Sequence, residues 1–217
     1  MRHVSGTSDR TKCQRTPKSS ESFKAMSEWL SRLMVKEGII EEEDRDIYMF
    51  GIRNGFIILL NLFTAFLIGL FTTKLLLVAV FTIAFMTLRS YTGGYHSESH
   101  VFCYISSSLV LFIPIYTVPL FYEATIPILA AILTVSVIII LILSPMDSRK
   151  RKLDQEERIH FRKRARVILL VQMMVLGIFY ASGNMALAYA IYSSICLIAV
   201  FMLIGELTLK LQLHMEE

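Results

Sequence analysis

The chain has 217 residues, of which 54% are hydrophobic and 18% charged, and its mean hydropathy is +0.56. That balance excludes an ordinary soluble domain and points to an integral membrane protein. The net charge of +4 is concentrated in one connecting segment and not on a folded basic face, so no nucleic-acid partner is expected.

In chain order, residues 1–20 (MRHVSGTSDRTKCQRTPKSS) are polar without an apolar period and read as a mobile tail. No cleavable leader is expected, because the first hydrophobic run begins only near residue 54, and the N-terminus is expected to stay in the cytoplasm. Residues 22–40 read as an amphipathic helix with Phe23, Met26, Leu30 and Leu33 on one face and Trp29 near its edge. Such a helix lies on the inner leaflet or packs against the protein's own spans, since both arrangements need one apolar stripe. The acidic EEEDRD, residues 41–46, precedes a first span at about 54–72, and Thr72, Thr73 and Lys74 make a very short turn. The second run, 75–88, covers only about 21 Å at 1.5 Å per residue, short of a hydrocarbon core of about 30 Å. It therefore ends inside the membrane boundary or continues through the polar segment behind it.

That segment, RSYTGGYHSESHVFC at residues 89–103, is a polar island between two apolar runs. A third span, about 101–122, contains Pro114 and Pro119, which kink it or leave free carbonyls toward the bundle. A fourth, about 125–144, is entered by Pro127 and closed by Pro145. Residues 147–166, DSRKRKLDQEERIHFRKRAR, carry nine Lys/Arg against four Asp/Glu and belong in the cytoplasm by the positive-inside rule. Two last spans, about 167–181 and 185–205, are separated by the turn SGN. Uninterrupted apolar runs select helices, because a barrel needs period-two alternation. The expected fold is all-α: a polytopic bundle of about six transmembrane spans plus an N-terminal amphipathic interfacial helix, with both termini and the island on the cytoplasmic side.

An ionisable cluster at a membrane boundary is costly unless it has a task. Cys103 and His96 form the obvious pair, since imidazole takes the thiol proton and the first turn of a helix favours thiolate. Seven residues separate them, so on one continuous helix they would lie about 10 Å apart along the axis. The helix should therefore begin after His96, with Gly93 and Gly94 turning the backbone. Arg89 offers a planar set of donors for a peptide carbonyl, a developing oxyanion or Glu98; at a span end it also reads as a snorkelling cation. Glu98 orients His96 or is a solvated loop charge. Tyr91 and Tyr95 read as interfacial aromatics. A rival constellation takes His96, His100 and Cys103 as three zinc ligands on one helical face, but it lacks HExxH and a placed acid. A third reading makes the island a nonenzymatic peptide transporter or binder. Three scattered cysteines, Cys13, Cys103 and Cys196, give no disulfide framework, and a lone buried Cys103 would read as a small apolar residue.

Arg89, Gly93-Gly94, His96 and Cys103, as RxxxGGxHxxxxxxC, resemble the signature of the AgrB family, accessory gene regulator B, of bacterial quorum sensing. SPMDSRKRKLDQEERIHFRKRAR also resembles that family's small-residue-Pro, basic and acidic segment, and the likeness runs from about residue 25 to 210. Ser97 stands where the family often has Ala. The resemblance implies that residues 21–217 form one membrane domain. It further implies a cysteine endopeptidase that cuts a short AgrD-like propeptide on its C-terminal side, retains a thioester and supports cyclisation to a thiolactone or lactone. Cys103 is then the nucleophile and His96 its partner, with Arg89 and Gly94 also important. No metal or other cofactor is implied. Arg149, Lys150, Arg162, Lys163 and Arg164 would receive the propeptide's acidic tail, although topology alone accounts for their charge. The bacterial cell membrane is the expected location and, by family analogy, a homodimer the expected assembly.

Overall fold

The computed structural model describes residues 18–92, 100–146 and 154–214. Among these residues there are seven α-helices and no strand: α1 (Lys18–Lys36), α2 (Arg45–Phe71), α3 (Leu75–Thr92), α4 (His100–Glu123), α5 (Ile126–Leu143), α6 (Gln155–Ala181) and α7 (Met185–His214), with a 3-10 turn at Glu42–Asp44. Helices α2, α3, α5, α6 and α7 are long and apolar enough to cross a membrane, and α4 adds the shorter apolar stretch Ser107–Glu123. Even α5, a run of Ile, Leu and Val with modest intrinsic helix preference, is helical throughout. In lipid each backbone N–H needs a partner inside its own segment, and that demand overrides propensity.

The chain divides after Phe56 into two compact units. In the first, α1 turns its apolar side outward: Trp29 is 64% exposed and Met26 and Leu33 are also exposed, while Ser27 and Ser31 are buried. That is the presentation of an interfacial helix, whose apolar face needs a bilayer. Gly38, at φ +68, ends it in a Schellman turn, with Ile39 N–H donating to the Met34 carbonyl at 2.9 Å.

In the second unit α7 packs against α3, α4, α5 and α6. Its buried face is built from small residues, Ala188, Ala190, Ser194 and Ala199, between Ile195, Ile198 and Met202. Small side chains let neighbouring helices approach where no hydrophobic effect draws them together. Ser194 donates back to the Ile191 carbonyl at 2.8 Å, so its hydroxyl is satisfied within the helix. Helix α3 supplies the facing surface through Val78, Phe81 and Leu88.

Two features close the end of the bundle at the α2–α3 turn. A Cβ on Gly69 would lie 2.9 Å from Leu75 Cα, so only glycine lets α3 start this close to α2. Lys74 Nζ donates to the Ile115 carbonyl at 3.0 Å. Pro119, four residues further on, has no N–H for that carbonyl, so the lysine satisfies the group the proline leaves over. The free carbonyl expected from a proline-bearing span is thus present and capped from the α2–α3 turn.

The basic segment is only partly a connection. From Gln155 it is helical, forming the first turns of α6, with Glu156 and Glu157 placed where carboxylates complement the helix dipole. Charge had masked a helix start.

Candidate active site

Helix α3 ends at Thr92 and α4 begins at His100. Gly94, His96 and Glu98 lie outside the described residues, as do Gly93, Arg149 and Lys150. Cys103 stands in the first turn of α4, and His100 is that helix's first residue. At the end of α3 the connection after α5, helix α6 and helix α7 all make contact.

The connection after α5 docks on α3 through its backbone: Met146 N–H donates to the Thr92 carbonyl at 3.0 Å. The carbonyl of Ser144, just past the end of α5, accepts from Arg162 Nε at 3.3 Å. An arginine thus takes up one of the acceptors that every helix C-terminus leaves over. Arg164 Nη1 donates to Tyr91 Oη at 3.4 Å, and its Cζ lies 5.8 Å from the centre of that ring. Tyr91 also meets Phe161 at 6.1 Å between centroids. Lys163, between the two arginines, is exposed. The island's first residues and the basic segment, separate motifs in the sequence, are one cluster in space.

Arg89 is half-buried in the last turn of α3, with its Cζ 5.6 Å from the centre of the Phe201 ring on α7. One turn and more below it, Gln172 of α6 reaches across, and its Nε2 donates to the Ala84 carbonyl at 2.7 Å. Thr92 Oγ1 and Ser144 Oγ are buried and have no hydrogen-bond partner among the described residues.

Phe201, Gln172, Thr92 and Ser144 escaped the reading of the sequence. Gln172 carries a findable signal, an amide inside an apolar span, and polar residues there cost enough to mark a task. Phe201 carries none, because it sits in VFMLI among residues of the same character.

A cavity of about 320 Å³ lies elsewhere. Phe121, Leu129, Leu133, Leu176, Tyr180 and Tyr192 line it near the α4–α5 and α6–α7 turns, at the opposite end from Arg89. No nucleophile, carboxylate or imidazole lines it.

Fold and site together define a multi-pass helical membrane protein in which arginines of α3 and α6 meet aromatic rings and a helix-terminal carbonyl at the end of α3. The family model of AgrB, accessory gene regulator B, matches residues 27–205, and the chain belongs to that family. Membership places it in the agr quorum-sensing system, among membrane processing proteins associated with the AgrD propeptide. Neither a curated protein nor a solved structure matches the chain.

Proposed function

We propose that the protein is a membrane-embedded cysteine endopeptidase that cleaves an AgrD-like propeptide on its C-terminal side. The observation that carries this reading is the RxxxGGxHxxxxxxC motif within a family match over residues 27–205. It gains support from the helix bounds: α3 ends just before the glycine pair, and Cys103 falls in the first turn of α4, where backbone amides favour thiolate.

His96 takes the Cys103 proton, and the thiolate attacks the scissile carbonyl. The tetrahedral oxyanion is held by Arg89. Its collapse breaks the C–N bond, His96 returns the proton to the leaving amine, and the C-terminal fragment departs. The thioester left on Cys103 is then attacked by a thiol or hydroxyl of the retained peptide, giving a thiolactone or lactone and freeing Cys103. Thioester exchange is nearly balanced in energy, so a site recessed at the membrane boundary, where water competes poorly, directs the acyl group to cyclisation. The acidic tail of the propeptide docks on Arg162, Lys163 and Arg164 of α6, with Arg149 and Lys150 earlier in the same basic segment. The positive-inside rule puts this end of the bundle in the cytoplasm.

The test is cleavage of a synthetic AgrD-type propeptide, with an amphipathic helix, one Cys and an acidic tail, by the full chain in bilayers. Cys103→Ala or thiol alkylation should abolish cleavage, while Cys196→Ala and Cys13→Ala retain it. Loss on chelation and in His100→Ala, with Cys103→Ala active, would transfer the site to zinc chemistry. Binding without cleavage would leave a transporter or binder, and a hydrolysed linear peptide as main product would refute the cyclisation step.

A further inference from the structure

Arg162, Lys163 and Arg164 are adjacent in the sequence, but the helix turns them apart. At 3.6 residues per turn, successive side chains point about 100° from one another. Phe161 and Arg164 therefore share one edge of a face of α6, Arg162 forms its other edge, and the buried Ala165 lies between. Lys163 falls on the opposite side of the helix, exposed, one turn before the exposed Val167. The two arginines flank a packed face, and the lysine does not.

Both edges of that face lead to the end of α3. Arg164 Nη1 donates to Tyr91 Oη at 3.4 Å with its Cζ 5.8 Å from the ring centre, and Phe161 meets the same ring at 6.1 Å. On the other edge Arg162 Nε donates to the Ser144 carbonyl at 3.3 Å. Two residues further along the chain, Met146 N–H donates to the Thr92 carbonyl at 3.0 Å. Thr92, Ser144 and Met146 are all buried, so this relay lies out of water, where hydrogen bonds hold geometry more firmly. Tyr91 and Thr92 are the last two residues of α3, and the chain passes from Thr92 directly to Gly93.

We infer that Arg162 and Arg164 are positioning residues for the cleavage reaction: they fix the end of α3, and with it the point from which the chain enters the glycine pair, a task separate from receiving the tail. The inference rests on the reading of the motif as a thiol peptidase site. It divides three neighbouring cations that charge alone makes equivalent.

The experiment compares Arg162→Gln, Arg164→Gln and Lys163→Gln in the full chain in bilayers on two synthetic propeptides, one with its acidic tail and one with the tail carboxylates changed to amides. Rates are referred to folded, monodisperse protein. Each arginine variant should lose about ten- to a hundredfold in kcat on both peptides, the scale set by a small misplacement of reacting groups. Lys163→Gln should instead raise KM, and more for the acidic peptide than for the neutral one. A second readout needs no peptide: alkylation of Cys103 by iodoacetamide, in a Cys13→Ala, Cys196→Ala background, should slow more in the two arginine variants than in Lys163→Gln. Tyr91→Leu should reproduce Arg164→Gln, and the double variant should be no slower than either single one, because both remove the same contact. Tyr91→Phe keeps the ring and should lose less, again equally on both peptides.

Arginine variants that lose rate on the acidic peptide alone, with Cys103 alkylated at the wild-type rate, would overturn the inference and leave a peptidase whose three cations all receive the tail. A lowered thermal midpoint with wild-type kcat and alkylation would overturn it as well, leaving the arginines a part in stability only. Cleavage by Cys103→Ala at the wild-type rate would overturn the peptidase reading and this inference with it.

Discussion

The two ends of the helical bundle solve different problems. At the Lys74 end the connections are minimal: residues 72–74, 124–125 and 182–184. Their polar groups are spent on the fold, with Lys74 on the Ile115 carbonyl, Tyr189 on Thr117, and Tyr192 on the Leu129 carbonyl at 3.3 Å. At the Arg89 end the helices are joined by longer stretches, and arginines meet aromatic rings and helix-terminal carbonyls. A short turn pins two helices and leaves no chain over for chemistry. The longer connections and the helix ends beside them carry the RxxxGGxHxxxxxxC motif and the basic segment 147–166, so on the proposed function folding and chemistry are divided between opposite ends of the same helices.

The strongest way to test that division is at the Arg89 end. Cys103→Ala should lower cleavage by about three orders of magnitude or more, as removal of a covalent nucleophile does, while the thermal midpoint of the purified protein stays put. Next in size, neutralising Arg162, Lys163 and Arg164 together to Gln should raise KM for an acidic-tailed propeptide about tenfold at low salt. The variant should also lose most of the wild type's salt dependence; an unchanged KM in correctly inserted protein would reduce these cations to topology. Gln172→Leu breaks an interhelical hydrogen bond inside the membrane and should cost about 1 kcal/mol of bundle stability, read by denaturant titration in detergent.

At the Lys74 end the effects should be on stability alone. Lys74→Met strands the Ile115 carbonyl and should cost about 1 kcal/mol, with kcat/KM unchanged. The smallest effect has the opposite sign. Thr73 adopts φ +56, and it ends α2 in the same Schellman pattern that Gly183, at φ +78, provides for α6. Thr73→Gly should stabilise by about 0.5 kcal/mol, once glycine's extra freedom in the unfolded chain is set against relief of the left-handed strain. A loss of cleavage in either variant would break the division between the ends.

The fold class was legible because hydropathy is summed over whole spans, and no other backbone structure fits unbroken apolar runs in lipid. The packing order was not. Helices α5 and α7 look alike as strings of apolar residues, yet α7 buries its small-residue face while α5 exposes Ile128, Ile138 and Ile142. Lipid and protein interior present similar solvents, so composition does not tell the two environments apart. At the site, the island was visible because its polar residues interrupt a long apolar sequence. Its union with the basic segment was not visible, since Tyr91 and Arg164 are 73 positions apart and each has an ordinary local reading. The helical start of α6 was hidden likewise: QEERIHFRKRAR has no apolar stripe to reveal its period.

The central place of α7 has a consequence for biosynthesis. Helices α3, α5 and α6 all pack on it, yet it follows each of them in the chain and so leaves the ribosome after them. The earlier spans enter the bilayer and then wait there, inserted but without their common partner, until residue 185 and beyond have been made. A nascent chain arrested at the α6–α7 turn would carry His96 and Cys103 along the sequence and still lack the helix that binds the bundle together. Synthesis of α7, and not insertion of the motif, is then the step at which the bundle first closes.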